Sequence, residues 1–199
     1  MRIVEIFNSL QGEGPASGRP ATFVRLSGCN LRCSGCDTDH AQWTEMAISA
    51  VADMITGERV IITGGEPALQ LSELSELIHL LKAGNKEIHI ETNGTIIIPE
   101  TVLKEIHCAV VSPKQESDFN LDYWAGKENV HFKFVLGRAH WCWSPSRLEE
   151  LAAMLPRERV WIMAFGTDQA LLQANEAWDL ALRLQVNYSD RLHIRLKKR

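Results

Sequence analysis

The stretch Thr22-Phe23-Val24-Arg25-Leu26-Ser27-Gly28-Cys29-Asn30-Leu31-Arg32-Cys33-Ser34-Gly35-Cys36 decides the fold. Its first part, Thr22–Leu26, is apolar and strand-like. Its second part sets three cysteines in a Cys-x3-Cys-x2-Cys spacing. Three such thiolates can hold three irons of a cubane 4Fe–4S cluster. No fourth cysteine follows at similar spacing, so one iron is left open for a substrate or cofactor. Gly28 and Gly35 let the backbone wrap closely around a bulky group. A structural zinc site is the alternative, with His40 or Cys108 as fourth ligand, but zinc favours two pairs of Cys or His. A disulfide framework fits less well, because five cysteines is an odd number and Met1–Phe7 reads as a strand rather than a secretory leader.

Outward from that stretch, short apolar strands alternate with amphipathic helices. The strand candidates are Ile3–Phe7, Thr22–Leu26, Val60–Thr63, Glu87–Glu91, Ala109–Ser112, Val130–Val135, Val160–Met163 and Leu192–Leu196. Four helical stripes lie between them: Met46, Ala50, Val51 and Met54; Leu74, Leu77, Ile78 and Leu81, with Ser72 as N-cap; Leu148, Leu151, Ala152 and Leu155 after the cap-and-proline pair Ser144-Pro145; and Leu171, Ala174, Trp178, Ala181 and Leu182. This alternation predicts an α/β fold, a parallel sheet with helices outside, with functional loops at the carboxyl ends of the strands. The 199 residues suit one domain, 1–199, with no linker or repeat. A formal net charge of −4 argues against a general nucleic-acid footprint. No apolar run is long enough for a membrane span. Oxygen-sensitive thiolates point to a reducing, cytoplasmic location.

Further motifs sit at predicted strand ends. Thr63-Gly64-Gly65-Glu66-Pro67 ends Val60–Thr63; its glycines expose backbone groups to a ligand, and Glu66 can accept from an ammonium. Glu91-Thr92-Asn93-Gly94-Thr95 and Ser112-Pro113-Lys114 end two more strands. Each is also an ordinary turn when taken alone. Leu10-Gln11-Gly12-Glu13-Gly14 is a loop whose amide and carboxylate suit the edge of a heterocycle. Arg25 inside an apolar strand needs an anion, from a ligand or from a protein carboxylate. Asp37-Thr38-Asp39-His40 follows the cysteines, and the Thr38 hydroxyl suits Mg²⁺, which leans on substrate oxygens. Cys108 reads as a small buried hydrophobe, Trp178 as core, and the histidines as free of metal-ligand spacing.

Together these residues resemble the radical S-adenosylmethionine (SAM) superfamily. Its three-cysteine hallmark is matched by Cys29, Cys33 and Cys36, and its glycine-glycine-glutamate-proline turn by Gly64–Pro67. Within it the chain looks like the 7-carboxy-7-deazaguanine synthase family, on Leu10–Gly14, Arg25, Cys36-Asp37-Thr38, Glu91–Thr95 and Ser112–Lys114, across roughly residues 1–135. The resemblance implies an incomplete (β/α) barrel of the radical SAM type and a homodimer. It implies a lyase that converts 6-carboxy-5,6,7,8-tetrahydropterin to 7-carboxy-7-deazaguanine with loss of ammonia, in queuosine and deazapurine biosynthesis. The 5′-deoxyadenosyl radical from SAM would do the difficult step, so no side chain is expected to act as a catalytic acid or base. Cys29, Cys33 and Cys36 would ligate the 4Fe–4S cluster, and Thr38 would bind Mg²⁺. Gly35, Cys36, Asp37, Glu66, Gly94, Ser112, Pro113 and Lys114 would contact SAM. Leu10, Gln11, Gly12, Glu13, Arg25 and Thr92 would hold the pterin. A flavodoxin or ferredoxin would supply the electron, and neither a nucleic acid nor a membrane is an expected partner.

The last third departs from the family's pattern. Where members carry a glutamine-proline or a proline-glutamate-glycine element, this chain has Met163-Ala164-Phe165-Gly166-Thr167. Either backbone atoms make the SAM contacts there, or cofactor binding is weakened. Arg191–Leu196 resembles the family's last strand, with a different and short tail. The competing readings are another radical SAM enzyme, such as a glycyl-radical activase, and a non-catalytic Fe–S or zinc protein. The Gln11–Glu13 loop and the Cys36-Asp37-Thr38 triplet favour the synthase.

Overall fold

A computed structural model describes residues 1–36, 38–39, 42–166 and 171–198. Two compact units organise the chain, one of Met1–Ser9 and Pro20–Ala109, the other of Leu10–Arg19 and Val110–Arg199.

The first unit carries β1 (Arg2–Leu10), β2 (Pro20–Leu26), a two-residue β3 (Thr44–Glu45), α1 (Ile48–Asp53), β4 (Arg59–Gly64), α2 (Leu71–Ala83), β5 (Glu87–Thr92) and α3 (Glu100–Leu103). Its strand order is β3-β1-β2-β4-β5. β2 and β4 run parallel, with Thr22 opposite Val60 and Leu26 opposite Gly64. β4 and β5 are also parallel, and β3 joins β1 antiparallel. Val24, Leu26, Val60, Ile61, Ile62, Ile88 and Ile90 have no exposed surface. Such continuous Val/Ile/Leu burial is what a parallel sheet covered on both faces requires. α2 lays Leu74, Leu77, Ile78 and Leu81 inward and packs on β5 and α1.

The second unit begins within β6 (Cys108–Val111) and continues through α4 (Leu121–Ala125), β7 (Val130–Leu136), α5 (Pro145–Met154), β8 (Val160–Ala164), α6 (Leu171–Leu184), β9 (Asn187–Ser189) and α7 (Leu192–Arg195). Strand order is β6-β7-β8-β9, with β7, β8 and β9 parallel. Ser144 caps α5, its hydroxyl accepting from Arg147 N, with Pro145 in the first turn. Cys108 is buried as expected, and burial pushes its thiol up to about 12.

Several expectations are corrected. Leu192–Leu196 is not a strand: Leu192–Arg195 forms the short helix α7, and Leu192 N donates to Gly12 O instead of to a neighbouring strand. The last strand is Asn187–Ser189, whose Asn187 amide donates to Glu158 O and Val160 O. Trp178 is not core. It is 57% exposed and Leu182 71%, while Ala174, Ala177, Leu180 and Ala181 form the buried face of α6; Trp178 packs edge-on against Tyr188 instead. The first stripe is displaced as well: α1 starts at Ile48, Met54 is exposed, and Val51 and Ile55 are buried. Ser72 does not cap α2. A 3₁₀ turn, Pro67–Gln70, leads into the helix, and Glu66 caps that turn.

Candidate active site

In the first unit, three parallel strands end side by side, and each end carries a motif. β2 runs into the cysteine loop, β4 into Gly64-Gly65-Glu66-Pro67, and β5 into Thr92-Asn93-Gly94-Thr95. The first two are stitched together by backbone. Gly65 N donates to Leu26 O at 3.2 Å, and Glu66 N to Gly28 O at 2.8 Å. Gly64 holds φ +137°, and a Cβ there would lie 2.1 Å from Leu26 O. Only glycine permits that approach.

Glu66 ties the second end to the third. Its carboxylate has no exposed surface and accepts from Ala68 N at 2.9 Å, Thr92 Oγ1 at 2.8 Å and Asn93 N at 2.7 Å. Three donors satisfy a charge that burial would otherwise penalise heavily. Gly94 N donates to Thr92 Oγ1. Glu66 therefore braces the loop that carries Thr92 and Gly94.

Cys29, Cys33 and Cys36 are in no disulfide, the first two partly buried and the third exposed. Cys36 N closes a turn on Cys33 O. The Cys29 sulfur accepts from Leu31 N at 3.4 Å and from Asn93 Nδ2 at 3.9 Å. Burial pushes its thiol up, against the Leu31 hydrogen bond. Among the described residues no group of three or more His, Cys, Asp or Glu side chains is placed to hold a single metal ion. A cubane offers a separate iron to each thiolate, so three cysteines in no disulfide, with N–H donors already aimed at one sulfur, fit it.

Arg25 meets a protein anion. Its Nε donates to Glu5 Oε1 at 2.9 Å and its Nη1 to Thr38 Oγ1 at 3.1 Å. The guanidinium thus holds the hydroxyl assigned to magnesium. A single hydroxyl fits Mg²⁺ in so far as that ion keeps water and substrate oxygens for most of its shell. Asp37 and His40 lie outside the described residues, as does Thr167.

In the second unit, the Gln11–Glu13 loop is held by the chain's end. Gln11 is buried, and its Oε1 accepts from Glu13 N. The Glu13 carboxylate takes Lys133 Nζ at 2.5 Å and Arg191 Nε at 3.1 Å, with His193 Nε2 at 3.9 Å. Burial alone would raise the Glu13 carboxyl, but Lys133 and Arg191 hold it down at about 2. Gly14 N donates to Ser189 Oγ. A Cβ on Gly12 would lie 2.2 Å from His193 Nδ1. Leu10 is exposed. Elsewhere in the unit, Lys114 Nζ donates to Ser112 O and Oγ and lies 5.4 Å over the Trp141 ring. Pro113 O accepts from Trp143 Nε1 at 2.8 Å. The atypical Phe165 stacks edge-on against Trp141, and Arg191 reaches Gly166 O at 3.5 Å.

Reading the residues in order missed Lys133, Arg191, His193 and the two tryptophans. Lys133 carried a signal: like Arg25, it is a lone cation in an apolar strand. Arg191 and His193 carried none, since nothing local marks a partner at position 13.

The chain matches the Radical SAM superfamily over residues 23–112. It is 34% identical to a 7-carboxy-7-deazaguanine synthase of Hyperthermus butylicus, over 98% of this chain and 92% of that protein. A second 7-carboxy-7-deazaguanine synthase, from Pyrobaculum aerophilum, is also 34% identical, over 98% and 93%. A crystal structure of QueE from Escherichia coli superposes with a TM-score of 0.73 at 25% identity, covering 96% of this chain and 94% of that one. The fold class is the one expected: α/β, with mostly parallel strands and helices outside.

Proposed function

The chain belongs to the 7-carboxy-7-deazaguanine synthase family of the radical SAM superfamily, and we propose that it converts 6-carboxy-5,6,7,8-tetrahydropterin to 7-carboxy-7-deazaguanine with loss of ammonia. It is a radical SAM lyase that uses a 4Fe–4S cluster, SAM and Mg²⁺. When bound, these supply the one-electron chemistry that lets the substrate ring contract and a cation for substrate oxygens. The protein's part is placement and exclusion of water.

Cys29, Cys33 and Cys36 hold the cluster. The Gly64–Glu66 turn anchors the root of their loop through Leu26 O and Gly28 O. We assign the SAM contacts to Gly35, Cys36, Asp37, Gly94 and Ser112–Lys114. Glu66 serves them indirectly, because its carboxylate is occupied by Thr92 and the Asn93 backbone. For the pterin we assign Leu10–Glu13, Arg25 and Thr92. Arg25 sits beside the Thr38 hydroxyl, so one cationic and one metal-binding group are poised for the same substrate carboxylate. Glu13, kept ionised by Lys133 and Arg191, supplies a fixed acceptor for N–H groups of a pterin edge. No helix among the described residues is long and apolar enough to cross a membrane. We propose that the enzyme works in the cytoplasm as one radical SAM domain, residues 1–199. It would act as a homodimer and draw its electron from a flavodoxin or ferredoxin.

The observation that carries this reading is the stitched end of β2 and β4: three cysteines, in no disulfide, on a loop whose root is bonded to the Gly-Gly-Glu turn. The test is an anaerobic turnover of reconstituted protein with SAM, a reductant, Mg²⁺ and 6-carboxytetrahydropterin, followed by mass spectrometry. A 7-carboxy-7-deazaguanine peak supports it. 5′-Deoxyadenosine without that peak keeps the superfamily and removes the substrate assignment.

A further inference from the structure

We propose that Asn93 tunes the cluster: its side-chain amide is a positioning donor to the Cys29 sulfur and raises the cluster's reduction potential. The inference rests on the reading that Cys29 is a cluster ligand.

The amide's orientation follows from its neighbours. Asn93 Oδ1 accepts from Thr95 N at 2.9 Å and from Thr95 Oγ1 at 2.7 Å. With two donors on the oxygen, the NH₂ group must face the other way. There it meets Asn30 Oδ1 at 3.0 Å and Cys29 Sγ at 3.9 Å. Asn30 is itself held, its Nδ2 donating to Thr95 Oγ1 at 2.8 Å. The Asn93 backbone is fixed by Glu66, and the residue is only 7% exposed. A buried, doubly braced amide whose nitrogen points at a ligand sulfur is more than a turn residue needs to be. Reduction adds negative charge to a cluster and its thiolates. An N–H dipole aimed at a sulfur therefore favours the reduced state, and low local dielectric strengthens it. Leu31 N is a second donor to the same sulfur, but it is backbone and persists in any substitution at position 93.

Asn93→Asp is the informative variant. It keeps the acceptor that binds Thr95 and deletes the donor. Asn93→Ala separates loss of the dipole from the added charge of aspartate, and Thr95→Val disturbs the loop while leaving the amide. Each protein is reconstituted, its iron content measured, and its cluster titrated without SAM by electron paramagnetic resonance. Both Asn93 variants should need a lower potential. At a fixed solution potential the ratio of reduced to oxidised cluster should fall about tenfold, which is about 59 mV for one electron. Thr95→Val should stay within about twofold of wild type. Wild-type midpoints in fully loaded Asn93→Asp and Asn93→Ala would overturn the proposal. A wild-type protein that assembles no 4Fe–4S cluster would overturn it together with the reading beneath it.

Discussion

Glu13→Gln tests the ion cluster that shapes the proposed substrate loop. The replacement keeps shape and removes charge. The Glu13 carboxyl falls from 4.5 to about 2, because Lys133 and Arg191 outweigh burial. At about 1.4 kcal/mol per pH unit, that difference is worth roughly 3 kcal/mol at neutral pH. The Glu13 side chain is only 13% exposed, so solvent screening takes little from it. A folded-state value below the unfolded one stabilises the fold fully above pH 4.5, and the benefit is lost as pH falls towards 2. Urea unfolding of the cluster-free protein should show the variant less stable by about 3 kcal/mol at pH 7. The two proteins should then converge between pH 4.5 and 2. A gap that stays constant down to pH 2, or one under about 1 kcal/mol at pH 7, would refute the reasoning.

Cys33→Ala should remove cluster absorbance and turnover together, read by visible spectroscopy and iron analysis; retained turnover would contradict the cluster assignment. Arg25→Ala breaks the contacts to Glu5 and Thr38, and should raise the KM for the pterin at least about tenfold while sparing uncoupled SAM cleavage. Equal losses in both would make Arg25 structural. Gly12→Ala forces His193 aside and should raise the pterin KM with only a small change in urea midpoint. Gly64→Ala meets Leu26 backbone at positive φ, so the midpoint should drop by at least about 2 kcal/mol equivalent.

The parallel core was legible because its strands are near-continuous Val and Ile runs, a pattern that local sequence carries by itself. The cysteine loop and the glycine turn were legible for a related reason: ligand spacing and close backbone approach are properties of a few adjacent residues. Arg191–Leu196 misled because polar and apolar residues alternate there as in a strand, whereas its geometry is set by Gly12, far away in sequence. Trp178 misled through size, since α6 packs through alanines and leaves the large ring at the surface. Glu13 was visible as a loop carboxylate, but its cations lie 120 and 178 residues away, and no local pattern reports such a pairing. For Glu66 the sequence marked the residue at a strand end, but its three internal donors can be seen only once β4 and β5 are side by side.

The contact of Glu13 with Arg191 also sets an order in time. A ribosome extending the chain at about 5–20 residues per second needs roughly 10–35 s to travel from one to the other. Before that interval ends the three strands bearing the cysteines, the glycine turn and Asn93 can already be outside, because all of them lie before residue 110. The Gln11–Glu13 loop has to wait for Ser189, Arg191 and Leu192. A nascent chain would thus possess its iron-binding scaffold before its substrate loop is set, and a stop codon ahead of Ser189 would leave the former without the latter.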